Sequence, residues 1–432
     1  MTVQAYRAAL LSMRADPADG AGAEALVHHP DGLLLVEDGH IARVGDYAAL
    51  ASGLPKDVPV EDLRPRVITP GFVDAHIHYP QVDVMAAWGS QLLDWLNNHT
   101  FPAERAFADR RHADEAADFF LDQLVRHGTT TALVYGTVHK HSVEALFEAA
   151  LKRRMRLIAG KVLMDRNAPA DLLDTVETGR ADTEALIRAY RGRGRLGYAV
   201  TPRFAVTSSD AQLAMAGEVA AAHPEVMVQT HISENRDEIR SVAALFPDAR
   251  DYLDVYQRFG LVGRRTVLAH CVHSSEDEMK RMAAAGAAIA YCPSSNLLLG
   301  SGLFDLQRAC ACGTRVALGT DVGAGGSFSV MSMMGEAYKV GQLRGRALDP
   351  LQAFYLATLG GARALNLDDR IGSLEPGKEA DFLVLDPAAT PILARRTTQA
   401  RTPSDLLFAL SILADDRAID RTYVAGRSLK GT

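Results

Sequence analysis

Cysteine, long apolar runs and excess positive charge are all scarce in this sequence, and each scarcity removes a class of protein. Four cysteines in 432 residues are too few for a disulfide-built scaffold. Three of them, Cys271, Cys292 and Cys310, lie in or beside apolar segments. Cys310-Ala311-Cys312 lacks the two-residue spacer of a redox or zinc-knuckle motif. Reduced thiols in a cytoplasmic protein are therefore expected. No apolar stretch approaches the roughly 20 residues of a membrane span. Between Met1 and Pro17 only Ala8–Leu11 is continuously apolar, too short for a signal-peptide core. Lys and Arg number 46 against 53 Asp and Glu, a formal net charge of −7, which gives no footprint for nucleic acid or an anionic membrane. The one basic cluster, Arg191-Gly192-Arg193-Gly194-Arg195, reads as a solvated turn between helix and strand.

The remaining composition is that of an ordinary globular chain, long enough for one large domain and an accessory one. Eight short β-rich runs alternate with amphipathic stretches: Val67–His76, Thr129–Tyr135, Arg156–Met164, Leu196–Thr201, Val226–Thr230, Thr266–Ala269, Ala287–Tyr291 and Arg315–Gly319. Helical patterns between them include Asp114–Arg126, Val143–Arg153, Thr183–Arg191, Ala211–Ala222, Arg236–Leu245, Glu276–Ala285 and Leu303–Ala311. Eight such units predict an α/β fold, a closed (β/α)₈ TIM-like barrel. An open doubly wound sheet is the rival, but the first run opens into no Gly-rich phosphate loop. Both chain ends are β-rich, with a hairpin expected over Glu37-Asp38-Gly39 and strands at Asp381–Leu385 and Thr422–Val424. They are expected to pair as a small β-sandwich, residues 1–69 and 371–432, beside a barrel of residues 70–370.

The chemistry concentrates where the barrel strands should end. Pro70-Gly71-Phe72-Val73-Asp74-Ala75-His76-Ile77-His78 puts two histidines on one face of a strand. His231 follows the fifth strand, His270 the sixth and Asp321 the eighth. Any one of them reads as an ordinary structural residue; together, at the carboxyl ends of barrel strands, they converge on one cavity. Three imidazoles and a carboxylate with an open position suit Zn²⁺ or Fe²⁺. Such an ion lowers the pKa of bound water to about 7. The reaction then needs a proton carrier outside the ligand set. Glu234 is placed for this, or else serves as a carboxylate at the start of helix Arg236–Leu245.

This pattern resembles the amidohydrolase superfamily, and Ile371-Gly372-Ser373-Leu374-Glu375-Pro376-Gly377 is similar to its return into the β-sandwich. Within it the blocks Pro70–Gln81, Leu92–Glu104, Thr201-Pro202-Arg203-Phe204, Gln229–Glu238, Tyr291–Leu303 and Gly319–Phe328 resemble the guanine deaminases. The resemblance implies one zinc on His76, His78, His231 and Asp321. It also implies His270 orienting water or substrate, Glu234 moving protons, and Gln81, Arg203 and Phe204 holding a purine base. His231 and Glu234 would then also contact the base, and Asp321 would act with Glu234 and His270 in catalysis. A homodimer is implied as well. Tyr79 stands where the family more often has Phe, which would add a hydroxyl near the pocket wall. The fourth strand carries no lysine for a carbamate bridge, so one metal is expected, and Lys161 on the third strand reads as structural.

Without the resemblance, Arg203-Phe204 reads as a packing pair at the barrel rim. A planar guanidinium fork and the Gln81 amide nevertheless match the edge of an oxo- and amino-substituted base. Related deaminases of pterins, oxidised purines or triazines would share the metal chemistry with other edge contacts. A cytidine-deaminase-type site is excluded, since its His-x-Glu and Pro-Cys-x-x-Cys signature is missing. A non-catalytic scaffold would be expected to have lost some of these ligands.

Overall fold

Four strands precede the barrel in the computed structural model, which describes residues 2–54, 58–89 and 91–430. They are β1 (Val3–Met13), β2 (Leu26–Glu37), β3 (His40–Asp46) and β4 (Val60–Pro70). Then come β5 (Phe72–His78), β6 (Thr129–Tyr135), β7 (Arg156–Gly160), β8 (Val162–Leu163), β9 (Leu196–Pro202) and β10 (Met227–Ile232). The barrel series ends with β11 (Thr266–His270), β12 (Ala288–Tyr291) and β13 (Arg315–Leu318). Last are β14 (Phe382–Leu385), β15 (Ile419–Val424) and β16 (Arg427–Lys430).

The barrel strands lie in chain order, β5-β6-β7-β9-β10-β11-β12-β13, all parallel, with β8 beside the end of β9. The first and last strands stand at the two ends of this path. Two backbone hydrogen bonds join them just beyond the strand ends: Asp321 N–H to the His76 carbonyl and His78 N–H to that of Val322, each 2.9 Å. The ring is thus closed by the segments that carry the predicted metal ligands.

The two chain ends share one seven-stranded sheet, β16-β15-β14-β4-β1-β2-β3. β14 pairs antiparallel with β4, Phe382 opposite Pro70, which is the pairing of the ends expected from sequence. Bulges interrupt β1 against both neighbours, and Tyr6, Leu34, Ile68, Phe382 and Tyr423 form a separate core there. The Asp38-Gly39 turn joins β2 to β3, both residues having positive φ, as a tight hairpin requires.

Two expected strands are divided. Val67–His76 splits at Gly71 into β4 of the sheet and β5 of the barrel. A Cβ on Gly71 would lie 2.1 Å from the Thr130 hydroxyl, so only glycine fits this crossing. Arg156–Met164 splits at Lys161, whose buried ammonium meets Asp174 at 2.5 Å and is structural. Arg195 is no solvated turn residue but a largely buried one, paired with Glu379 and Asp381 across the joint between barrel and sheet.

All seven expected helices are present, several with an added turn, as in Arg110–Arg126 and Val176–Tyr190. Helices Val330–Leu343, Pro350–Ala357, Leu359–Ala364 and Pro403–Leu413 carry the chain beyond the last barrel strand and escaped notice. Pro350–Ala357 is buried from Leu351 onward, on every face, so no polar side marks its period.

Candidate active site

His76 and His78 project from β5 two residues apart, His231 from β10, and Asp321 from the turn after β13. Their donor atoms meet in one buried cluster. His76 Nε2 lies 3.3 Å from His78 Nε2, which is 3.2 Å from His231 Nε2. Asp321 Oδ1 is 3.2 Å from His76 Nε2 and 3.5 Å from His78 Nε2. Tetrahedral zinc with ligand bonds of about 2.1 Å sets neighbouring donors roughly 3.4 Å apart, and these separations fit it.

Electrostatics agree with the spacing. Burial, reinforced for His78 and His231 by the neighbouring imidazoles, holds the three rings below the usual histidine range, so they stay neutral with lone pairs available. Burial pushes Asp321 up, but His76, His270 and the Ser295 hydroxyl together outweigh it and hold the carboxyl below its usual range. Three neutral nitrogens facing one another around a carboxylate form a donor set suited to a divalent cation.

The supports of the cluster are equally specific. His231 Nδ1–H donates to the Arg203 carbonyl at 2.7 Å, which fixes the tautomer that leaves Nε2 bare. Tyr135 stacks on His78, ring centroids 4.5 Å apart. Asp74, which sequence reasoning did not single out, accepts from Thr320 Oγ (2.5 Å) and from the His76 amide (3.1 Å) beneath the site. Ser233, His270 and Asp321 all have positive φ, an uncommon state for residues with a Cβ, and it recurs at three strand ends of this site. Cys292 lies near His76 and Asp321. Its thiol is held protonated by burial and points to the Ala290 carbonyl.

His270 also falls within reach of His76 and His231. Its Nδ1 bonds to Asn296 Oδ1 at 3.0 Å, and its Nε2 lies 3.5 Å from Glu234 and 3.9 Å from Asp321. Burial lowers its pKa, but the two carboxylates outweigh this and raise it. His270 therefore stands between the cluster and Glu234. Burial pushes Glu234 up to about 7, so it can change protonation state near neutrality. Ser301 Oγ–H donates to it at 3.0 Å. The helix Arg236–Leu245 is capped by Asn235 and Glu238, while the Glu234 side chain turns to Ser301 and His270.

The pocket over the cluster is lined by Gln81, Arg203, Phe204, His231, Glu234 and Asp321, with an apolar side of Leu92, Trp95, Leu96, Leu299 and Ala324. His78 and His270 line it too, so every sequence-predicted site residue except His76, which lies behind His78, borders one cavity. Tyr79 does not reach it: its hydroxyl donates to the Ser142 carbonyl at 2.7 Å, and its ring packs between Phe107 and Phe120. The hydroxyl expected at the pocket wall is directed into the core instead. Glu104 was the main omission. It meets Arg203 Nη1 at 2.8 and 3.0 Å and accepts from Gln81 Nε2 at 3.3 Å. Its sequence block was visible, but a lone glutamate on a short helix carries no chemical signature.

Comparisons with known proteins agree with this geometry. The amidohydrolase family pattern matches residues 67–429. The chain is 52% identical to a guanine deaminase of Escherichia coli over 405 residues, covering 94% of this chain and 92% of that one. The solved structure of E. coli guanine deaminase superposes with a TM-score of 0.97 at 50% identity over 99% of each chain. A guanine deaminase from C. acetobutylicum, solved with guanine in its active site, gives 0.89 at 30% identity, covering 99% of this chain and 100% of that one. The chain belongs to the amidohydrolase family and, within it, to the guanine deaminases.

Proposed function

We propose that this protein is a metal-dependent hydrolase that converts guanine and water to xanthine and ammonia. The observation that carries this reading is its likeness, over nearly the whole chain, to guanine deaminases, one of them solved with guanine bound. We further infer a single zinc per chain on His76, His78, His231 and Asp321. When bound, it supplies a water activated for attack on the carbon bearing the exocyclic amine.

The remaining work falls to the side chains. Glu234 takes a proton from the attacking water and passes it to the adjacent ring nitrogen, then moves the remaining hydroxyl proton to the amine, so that the C–N bond breaks, the new carbonyl forms and the amine departs as ammonia. His270, tethered by Asn296, holds the reacting edge between Glu234 and Asp321. Gln81 and Arg203 take the opposite edge, and Phe204 takes a face of the base. Arg203 is a pure donor, so it favours the carbonyl of guanine and opposes the amino group of adenine.

Arg203→Ala should keep the metal but lower kcat/KM for guanine about 30- to 1,000-fold, because it also strands Glu104 as a buried charge. A panel of guanine, adenine, cytosine, 8-oxoguanine and isoxanthopterin, followed by ammonia release, tests the substrate. Guanine should show the highest kcat/KM; another base exceeding it would replace guanine as the substrate. No helix among the described residues is long and apolar enough to cross a membrane. The four unpaired cysteines support a cytoplasmic location. Family likeness supports a homodimer, which light scattering reads directly.

A further inference from the structure

The segment Leu92–Arg105 shows how one stretch of chain can set the selectivity of this pocket. Leu92, Trp95 and Leu96 face inward with ordinary helical spacing. A single π turn over Leu96–Thr100 buries Thr100 and then shifts the phase by one residue, so that Phe101 and Glu104 also face inward. Phe101 lies under the Arg203 guanidinium, 5.6 Å from it. Glu104, fully buried, engages Arg203 through Nη1 alone. The Nε and Nη2 groups of Arg203 make no protein hydrogen bond among the described residues and remain for the base. The same carboxylate takes one N–H of Gln81, while the Gln81 carbonyl accepts from the Gly323 amide at 3.5 Å, so the amide cannot flip freely.

We propose that Glu104 is the positioning and selectivity residue of the base-binding edge: it orients Arg203 and Gln81 and cancels the guanidinium charge, so the pocket takes a neutral base and disfavours the anionic form of the product. This rests on the guanine deaminase reading given above. A buried, unpaired guanidinium attracts an anion strongly because little water screens it. Guanine is neutral near neutral pH. Xanthine gains a second carbonyl beside its ring N–H groups, which makes it the stronger acid and an anion on the alkaline side of neutrality. An uncompensated Arg203 would hold that anion and slow turnover by product retention. With Glu104 in place the edge is electrically balanced, and the donors select by shape and hydrogen bonding alone.

The test compares the metal-loaded wild type, Glu104→Gln and Glu104→Asp, each checked for metal content and melting temperature. It measures guanine KM and kcat, and xanthine inhibition from weakly acidic to alkaline pH. In Glu104→Gln, guanine KM should rise, and inhibition by xanthine should tighten about tenfold or more relative to wild type as pH rises. Glu104→Asp keeps the charge at a shorter reach. It should raise guanine KM while retaining the wild-type pH dependence of xanthine inhibition. If Glu104→Gln loses guanine and xanthine affinity in equal measure, Glu104 is a structural prop and the proposal is overturned. If the Gln variant does not fold, the Asp variant decides, since xanthine tightening there, or an unchanged guanine KM, also overturns it. Failure of the wild type to deaminate guanine would instead sink the activity itself, a separate result.

Discussion

Glu234→Gln will bind guanine and metal as the wild type does and turn over at least about 100-fold more slowly, within the 10²–10⁴ range of positioned acid–base catalysis. The substitution keeps the shape of the side chain, and an amide oxygen can still accept the Ser301 hydroxyl hydrogen bond. What disappears is the ability to take a proton and release it. Glu234 is suited to both acts because burial pushes its pKa up to about 7, with the His270 imidazole pulling the other way. The sign of the pH effect follows. Below that value the free enzyme holds a protonated Glu234 that cannot accept a proton from water, so wild-type kcat/KM should climb as pH rises through about 7. The Gln variant should lose this limb. Calorimetric binding of a substrate analogue, elemental analysis and pre-steady-state ammonia release separate these quantities. Near-normal turnover in the variant would leave Glu234 only its Ser301 contact and no catalytic role.

His76→Ala should have an effect at least as large, with bound metal falling from about one ion per chain to near none and activity falling by about 10³ or more. The reason lies in the donor set. His76 lies within 3.3 Å of both the His78 nitrogen and the Asp321 carboxylate, so its loss opens two edges of the cluster at once. The imidazoles that remain are buried and neutral, and a cation is what makes their mutual approach favourable. Asp321→Asn should act similarly, since the anionic member of the set is removed. Plasma emission spectroscopy on wild type and variants checks the stoichiometry. Two ions per wild-type chain, or full activity in chelator-stripped protein, would defeat the single-metal reading.

Much of the barrel was legible because its strands are short β-rich runs set between amphipathic helices, two periods that differ sharply. His76, His78, His231, His270 and Asp321 could be read because polar residues at the ends of apolar strands stand out against their surroundings. Legibility failed where burial erased the period, as in Pro350–Ala357, whose apolar residues face the core on every side. It failed at Gly71, where one apolar run serves two sheets and only the approach of Thr130 reveals the division. It failed for Arg195, since a charge in a Gly-rich turn looks solvated until its partners Glu379 and Asp381 arrive from nearly two hundred residues away. Glu104 and Asn296 escaped for a related reason: each acts through a partner distant in sequence, Arg203 in one case and His270 in the other.

The closure of the ring has a mechanical consequence. Strands elsewhere in the barrel are zipped to their neighbours along ladders, whereas β5 and β13 are stitched by the amides of Asp321 and His78. Those stitches lie in the peptide units of three residues read here as holding the ion. A metal bound there would act as a rivet through the seam of the hoop. Ion loss and loosening of the hoop would then be one event, centred on the β5–β13 seam and on His231 of β10. A protein built this way reports on its own cofactor: when the rivet is out, the weakest line of the fold and the disabled reaction centre are in the same place.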